Sequence, residues 1–189
     1  MPRQEIACQQ VLVDDSSVSS IQWSVFPAPL AAQFTPKMLL NRYLFYIRRC
    51  TATIIRPHCS ISGIQFRLFG SRWSLISFRA PAEEQQAVVL RICGGMLVQP
   101  GHNERGELRF GVNAEPHGVR VSLELSGYRP LILGPPPPSA LRRLLYRLSQ
   151  AAIHRLVTVR FLALICRELA GPTARVRVVG VKVRDGRPI

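Results

Sequence analysis

A run of four prolines followed by about thirty residues without proline or glycine constrains this chain more than any other feature. Pro135 to Pro138 stand directly before Ser139, and Gly171-Pro172 closes the run. Proline cannot occupy a helix interior, whereas serine is a preferred N-cap, so the pattern predicts one long helix over about 139–169. At a rise of ~1.5 Å per residue this helix is about 45 Å long.

The apolar side chains of this helix predict the side that faces the core. On a wheel of ~100° per residue most of them share one stripe. The stripe comprises Leu141, Leu144, Leu145, Leu148, Ala151, Ala152, Leu156, Val159, Leu162, Ala163, Cys166, Leu169 and Ala170. A second apolar face in the C-terminal half is formed by Val157, Phe161, Leu164 and Ile165, which predicts either cover by the N-terminal residues or a homodimer contact.

The sequence before the helix alternates in the way expected of an antiparallel sheet. Its clearest hairpin covers residues 107–126 and turns at 115–118. Pairing Asn113 with Arg120 places Phe110 opposite Leu123 on one face, and it places Arg109 opposite Glu124 on the other. We therefore expect a cross-strand ion pair between Arg109 and Glu124. After the helix, alternating valines predict a final strand over about 174–184.

These elements indicate an α+β fold, in which an antiparallel sheet packs on one long C-terminal helix and a short final strand follows. Residues 1–20 read as a polar lead-in, with disorder as one interpretation, and residues 21–189 as a single domain. Within that domain the sequence of 37–49 fits a helix or a strand equally well.

The chain is strongly basic, with 25 Lys and Arg against 11 Asp and Glu and a formal net charge of +14. Arginine bias in the genome is one explanation, since only Lys37 and Lys182 are lysines. Association with nucleic acid or an acidic partner is the other. The densest basic group is Arg175, Arg177, Lys182, Arg184 and Arg187 near the C-terminus, and the first four form the predicted basic patch. Because no aromatic residues alternate with it, a solvated edge strand protected by charge is the competing interpretation.

Sequence motifs predict no catalytic residue, no cofactor and no metal site. The five cysteines have irregular spacing and include no CxxC pair, which favours a reducing, cytoplasmic compartment over a disulfide framework. His102, His117 and His154 each stand alone, and we expect His154 on the solvent side of the helix. Neither a signal peptide nor a transmembrane segment is expected.

The order of elements from Gly63 to Gly171 resembles the helix-grip (START/Bet v 1-like) superfamily. The segments that carry the resemblance are 106–110, 118–121, the proline-rich entry and the helix from Leu141 to Leu169. The resemblance covers about 110 residues and depends on the order of the elements alone. The resemblance implies a curved sheet around the helix and an apolar cavity for a lipid-like or aromatic ligand. The strand that follows the helix departs from this pattern.

A soluble module that binds a small apolar or amphipathic ligand between sheet and helix is therefore the preferred functional hypothesis. Arg155 lies within the apolar stripe, where it would hold an anionic headgroup; an internal ion pair or a snorkelling side chain is the alternative. Tyr128 would be a second polar contact or a loop anchor. Trp73, Phe110 and Leu148 would form the wall. The alternatives are a basic interaction protein and a non-catalytic subunit of a homo-oligomer.

Overall fold

The computed structural model describes residues 3–31, 34–101 and 106–189, and it confirms the α+β fold. Within these residues eleven strands form one largely antiparallel sheet against the long helix Ala140–Ala170. The strands are β1 Arg3–Leu12, β2 Val18–Phe26, β3 Ile55–Ser60, β4 Gly63–Leu68, β5 Ser74–Arg79, β6 Ala82–Glu84, β7 Ala87–Gly94, β8 Glu107–Glu115, β9 Gly118–Tyr128, β10 Arg175–Gly180 and β11 Arg187–Pro188. Two further helices are α1 Ala28–Ala31 and α2 Pro36–Cys50.

The sheet brings both ends of the described chain to one edge. Its order is β10-β1-β2-β9-β8-β7-β5-β4-β3, while β11 pairs with β1 and β6 with β7. β10 and β1 are parallel, and the other pairs are antiparallel. The final strands therefore return after the long helix and lie beside β1.

The interpretation of residues 1–20 as a polar lead-in is wrong, because β1 is an internal strand that contributes to the core. Ile6 is fully buried. The glutamines that made this stretch look polar have structural partners: Gln9 Nε2 donates to the Arg184 carbonyl at 2.6 Å, and Gln9 Oε1 accepts from the backbone of Val183 at 2.8 Å. Polar side chains that are hydrogen-bonded in this way are compatible with a well-paired internal strand.

The predicted β8–β9 register is confirmed, but the predicted ion pair is wrong. Asn113 pairs with Arg120 and Phe110 with Leu123. Although Arg109 also stands opposite Glu124, its guanidinium pairs with Glu84 instead. The short strand β6, paired to β7, carries Glu84 and thereby supplies a carboxylate from a third segment.

The predicted ends of the long helix are confirmed. The Ser139 hydroxyl accepts a hydrogen bond from the Arg142 backbone at 3.3 Å, and Gly171, at φ +93°, follows the last helical residue. The ambiguous segment 37–49 is helical, because Thr35 caps α2 by accepting from the Met38 backbone at 3.2 Å and Pro36 occupies its first turn.

Aromatic rings join the long helix to α2 and the sheet. Phe161 of the long helix lies 5.2 Å from the Tyr43 ring of α2 and 5.4 Å from that of Tyr46. Tyr43 in turn lies 5.2 Å from Phe110 of β8. These rings pack in tilted and edge-on contacts between the helix and the sheet. They therefore fill the space in which Phe110, predicted as a cavity wall, would meet a ligand.

The side of the long helix that faces the core differs from the predicted side by a rotation about the helix axis. Leu141 and Leu148 are 65% and 67% exposed, whereas Phe161 and Ile165, assigned to an outer dimer face, are fully buried. A π-helical turn at Arg147–Ala151 explains part of the error. Such a turn holds an extra residue and shifts the helix phase by about 100°, so a uniform wheel misaligns the two halves. Of the predicted dimer face, Phe161 and Ile165 are covered by other parts of the chain, which agrees with the first of the two alternatives, whereas Val157 is half-buried and Leu164 is 38% exposed.

We expect Phe161→Ala to lower the free energy of unfolding by about 3–5 kcal/mol, since it removes a fully buried ring from this cluster. Leu148→Ala on the same helix, where the side chain is exposed, is the control and should cost less than about 1 kcal/mol. Urea denaturation measures both values. Equal losses in the two variants would contradict the observed helix rotation.

Candidate functional site

A groove follows the outer flank of the long helix, where the helix passes the sheet edge formed by β1, β10 and β11. Three adjoining depressions with volumes of about 290, 580 and 360 Å³ make up the groove, and all three are lined by Pro188 and Ile189. The largest lies over the π-helical turn and the first turns after it. We call these three depressions together the outer groove.

Hydrogen bonds between the C-terminal residues, β1 and the helix build the walls of the outer groove. Pro188 pairs with Val11 of β1, and the Ile189 backbone donates to the Gln10 carbonyl at 3.2 Å. The Gln10 side chain, through Nε2, donates to the Ala151 carbonyl at 3.3 Å, within the π-helical turn. The last residues of the chain are thereby held opposite the helix.

The surface of the outer groove is mostly apolar. Leu148 and Leu156 contribute from the helix and Val178 from β10. They are 67%, 49% and 41% exposed, so the groove presents aliphatic side chains that the rest of the chain does not cover. Exposed aliphatic clusters of this kind mark binding surfaces.

Arginines border this apolar surface. Arg147 and Arg155 extend from the helix, and Arg187 belongs to β11. Across residues 3–31, 34–101 and 106–189, none of the three forms an ion pair. The residues that line the groove include no Asp or Glu. Uncompensated guanidinium groups beside apolar side chains suit a ligand with an acidic group and an apolar body.

The structure brings two of the five predicted ligand contacts into this groove. Arg155 is exposed at its border and pairs with no carboxylate of the described residues, and Leu148 lies on its apolar surface. Both lie at the outer surface beside the edge of the sheet, so neither occupies the sheet–helix interior for which it was predicted.

The other three predicted contacts lie elsewhere. Phe110 is a fully buried core residue. Tyr128 is buried at the end of β9, where its hydroxyl donates to the Leu97 carbonyl at 2.9 Å, which agrees with a loop anchor. Trp73 is 64% exposed directly before β5, near the opposite end of the sheet from the groove.

The predicted basic patch adjoins the outer groove. Arg175 and Arg177 are exposed on β10, the last strand in the sheet order, as expected for a charged edge strand. Lys182 and Arg184 line the same depression as Arg155. Lys182 pairs with Asp185 at 2.9 Å, so its charge is partly compensated.

His154 differs from the expected solvent-facing histidine. The residue is only partly exposed, and its Nε2 atom is buried with no hydrogen-bond partner among the described residues. Burial lowers the pKa of His154 to about 4, because the charged ring would lose its hydration. His154 is therefore neutral at physiological pH. His102 lies outside the described residues, and His117 is exposed in the β8–β9 turn.

A row of buried polar side chains on β2 was not predicted from the sequence. Ser20, Gln22 and Ser24 are almost completely inaccessible, and Gln22 Nε2 donates to the Ser20 hydroxyl at 2.7 Å. Ser24 lies next to Cys166 of the long helix, whose thiol pKa is raised to about 11, mainly by burial. Polar and apolar residues alternate from Ser20 to Ser24, which is a signal for a strand. The usual rule that polar residues face solvent would place these polar side chains on the wrong face of it.

Comparisons with known proteins add little. No family model and no curated protein matches this chain. The crystal structure of CalU16 from Micromonospora echinospora is 17% identical over 87% of this chain and 86% of its own, with a TM-score of 0.40. The solution structure of CalU16 is 16% identical over 89% and 76%, also at 0.40. A likeness at this level supports no argument about function.

The buried His154 predicts a pH dependence of stability. Since its folded pKa lies below the unfolded value of about 6.5, folding is favoured fully above pH 6.5 and loses that contribution as the pH falls towards 4. The expected slope is ~1.4 kcal/mol per pH unit within this window. His154→Gln should remove this slope in urea denaturation series, while His117→Gln, in an exposed turn, should keep it. An unchanged slope in His154→Gln would contradict the burial of the ring.

Proposed function

We propose that this chain is a binding protein that holds an amphipathic anion in the outer groove. One observation carries the proposal: exposed aliphatic side chains and arginines that form no ion pair within the described part of the chain lie in one groove, and no described residue that lines it is acidic. The apolar body of the ligand would lie on Leu148 and Leu156, and its acidic group would bind Arg155 and Arg147.

Both parts of such a ligand would contribute to its affinity. Covering aliphatic surface stabilises a complex by about 25 cal/mol per Å². A carboxylate or phosphate accepts paired hydrogen bonds from a guanidinium, which a lysine cannot offer in the same geometry. The ligand would also relieve the repulsion among the arginines at the border.

The proposal keeps the ligand class that the helix-grip resemblance implies but moves its position. Packing among Tyr43, Phe110 and Phe161 supports an outer site over an interior one. The proposed role contains no chemical step.

Arg155→Leu should weaken the binding of a fluorescent long-chain fatty acid about tenfold or more, because a hydrogen bond to a charged group contributes roughly 1.5–3 kcal/mol. Titration by fluorescence gives the dissociation constants. Arg91→Leu is the matched control, since Arg91 is an exposed arginine on β7 outside the groove. It should bind like the wild type.

The methyl ester of the same fatty acid separates charge recognition from general hydrophobicity. We expect the ester to bind wild-type protein and Arg155→Leu equally weakly. If the acid bound Arg155→Leu as tightly as wild type while the variant gained thermal stability, the headgroup role of Arg155 would be wrong.

The position of β10 favours a second candidate, a basic surface for nucleic acid or an acidic protein. Arg175 and Arg177 are exposed on this last strand of the sheet order, and Lys182 and Arg184 continue the charge towards the groove. Binding of this kind would depend steeply on salt, since each neutralised phosphate releases counterions.

Replacing Arg175 and Arg177 by Gln should reduce the slope of log affinity against log salt by about two for a short DNA duplex. The control replaces Arg48 and Arg72 by Gln, two exposed arginines away from β10. Fluorescence anisotropy at several salt concentrations measures the slopes. Salt-insensitive binding, or an equal reduction in both double variants, would exclude this surface.

A further inference from the structure

The long helix carries an uncovered row of large aliphatic side chains on the side away from the sheet. We call this row the outer stripe. Its members are 46% to 67% exposed, and they are Leu141, Leu144, Leu145, Leu148, Ile153 and Leu156. No other described element of the chain concentrates exposed leucine and isoleucine in this way. An uncovered apolar row of this length indicates an interaction surface.

The same helix is strongly cationic. It contains six arginines and a single carboxylate, Glu168. Glu168 is neutralised by an ion pair with Arg42 of α2. Arg142, Arg155 and Arg160 are exposed beside the outer stripe. The surface around the stripe therefore combines aliphatic side chains with net positive charge. A binding partner that complements this surface is apolar and anionic.

The opposite face of the helix is part of the hydrophobic core, so exposing it would unfold the protein. Phe161, Leu162 and Ile165 are completely buried against α2 and the sheet. By length and composition Ala140–Ala170 could cross a bilayer, although the sequence predicted no such segment. Because one face belongs to the core, the folded protein can offer a membrane only the other face. The geometry is that of a helix lying on a surface.

We propose that the outer stripe docks this protein onto an anionic lipid bilayer, with the helix axis parallel to the membrane plane. From Leu141 to Leu156 the stripe is ~23 Å long. Interfacial helices of this pattern insert their aliphatic side chains about 5–10 Å into the boundary between headgroups and acyl chains. The neighbouring arginines reach lipid phosphates through their long side chains.

Charge argues for lipid and against a second copy of this chain. Two outer stripes packed together would bring Arg142, Arg155 and Arg160 of both copies into one interface, whereas each described helix offers only the already paired Glu168 to offset them. Like charges in an apolar interface are costly. An anionic bilayer supplies the acyl chains and the negative charge together, with each arginine contributing a factor of about five to affinity.

The outer stripe shares Leu144, Leu148 and Leu156 with the outer groove, but its other members lie outside the groove. Leu141, Leu145 and Ile153 do not line any of its three depressions. The two surfaces are therefore separable by mutation. Ile153 is the most useful position, since it is 61% exposed and belongs to the stripe alone.

Vesicle flotation tests the proposal with the full chain. We expect the protein to float with vesicles of phosphatidylcholine mixed with phosphatidylserine, to stay largely unbound with phosphatidylcholine alone, and to dissociate as salt is raised. Ile153→Glu should reduce partitioning about tenfold or more, since it loses an inserted aliphatic group and adds a repelled charge. Ile61→Glu is the matched control: Ile61 is fully exposed in the β3–β4 turn and should have no effect.

Three results would overturn the proposal. These are no binding to anionic vesicles, equal binding to neutral and anionic vesicles, and equal losses in Ile153→Glu and Ile61→Glu. Sedimentation equilibrium adds a further check, since a wild-type dimer that Ile153→Glu converts to a folded monomer would assign the stripe to a second copy. Fatty-acid titration without vesicles should be unchanged in Ile153→Glu, so failure of this proposal and failure of the groove proposal remain distinct.

Discussion

The packing of Phe161 against Tyr43 and Tyr46 determines how the rest of this molecule is arranged. Tyr43 continues the contact to Phe110 in the sheet, so one row of rings connects the long helix, α2 and β8. Aromatic pairs of this kind add to the large area that each ring buries. This cluster determines which side of the long helix faces the core, and therefore which side faces outward. The exposed leucines and the arginines that border the groove lie on the outward side.

The two ends of the described chain complete the functional surface. β1 and β10 extend the sheet beyond β2, and β11 closes against β1, so the C-terminal residues stand opposite the helix. The outer groove thus has walls from parts of the sequence more than a hundred residues apart. Its chemistry is simple: aliphatic side chains form its surface, and the arginines at its border have no carboxylate partner among the residues that the structure describes. The adjoining outer stripe has the same character, and both surfaces suit amphipathic anions.

Local sequence patterns correctly predicted those elements whose structure is determined by residues close to one another in the sequence. The β8–β9 register follows from alternation on either side of a short turn, and the helix ends follow from Ser139 and Gly171. Which side of the long helix faces the core could not be predicted. It depends on the contact of Phe161 with Tyr43, more than a hundred residues away, and on a π-helical turn that no residue type indicates. β1 was missed because the partners of its glutamines are distant in sequence: Gln9 bonds to the C-terminal segment and Gln10 to the long helix. In the candidate site, the sequence pattern identified Arg155 and Leu148. It did not identify Gln10, Pro188 and Ile189, because no pattern in the neighbouring sequence indicates that they line a groove.

Photolabelling with a diazirine fatty acid, followed by mass spectrometry of peptides, tests the central claim most directly. The claim is that an amphipathic anion binds outside the helix and not between helix and sheet. The account predicts labels in Leu148 to Leu156 and at Pro188 and Ile189, with loss of labelling when unlabelled fatty acid competes. Labels concentrated on Tyr43, Phe110 and Phe161 would contradict it, because the ligand would then occupy the interior that these rings fill.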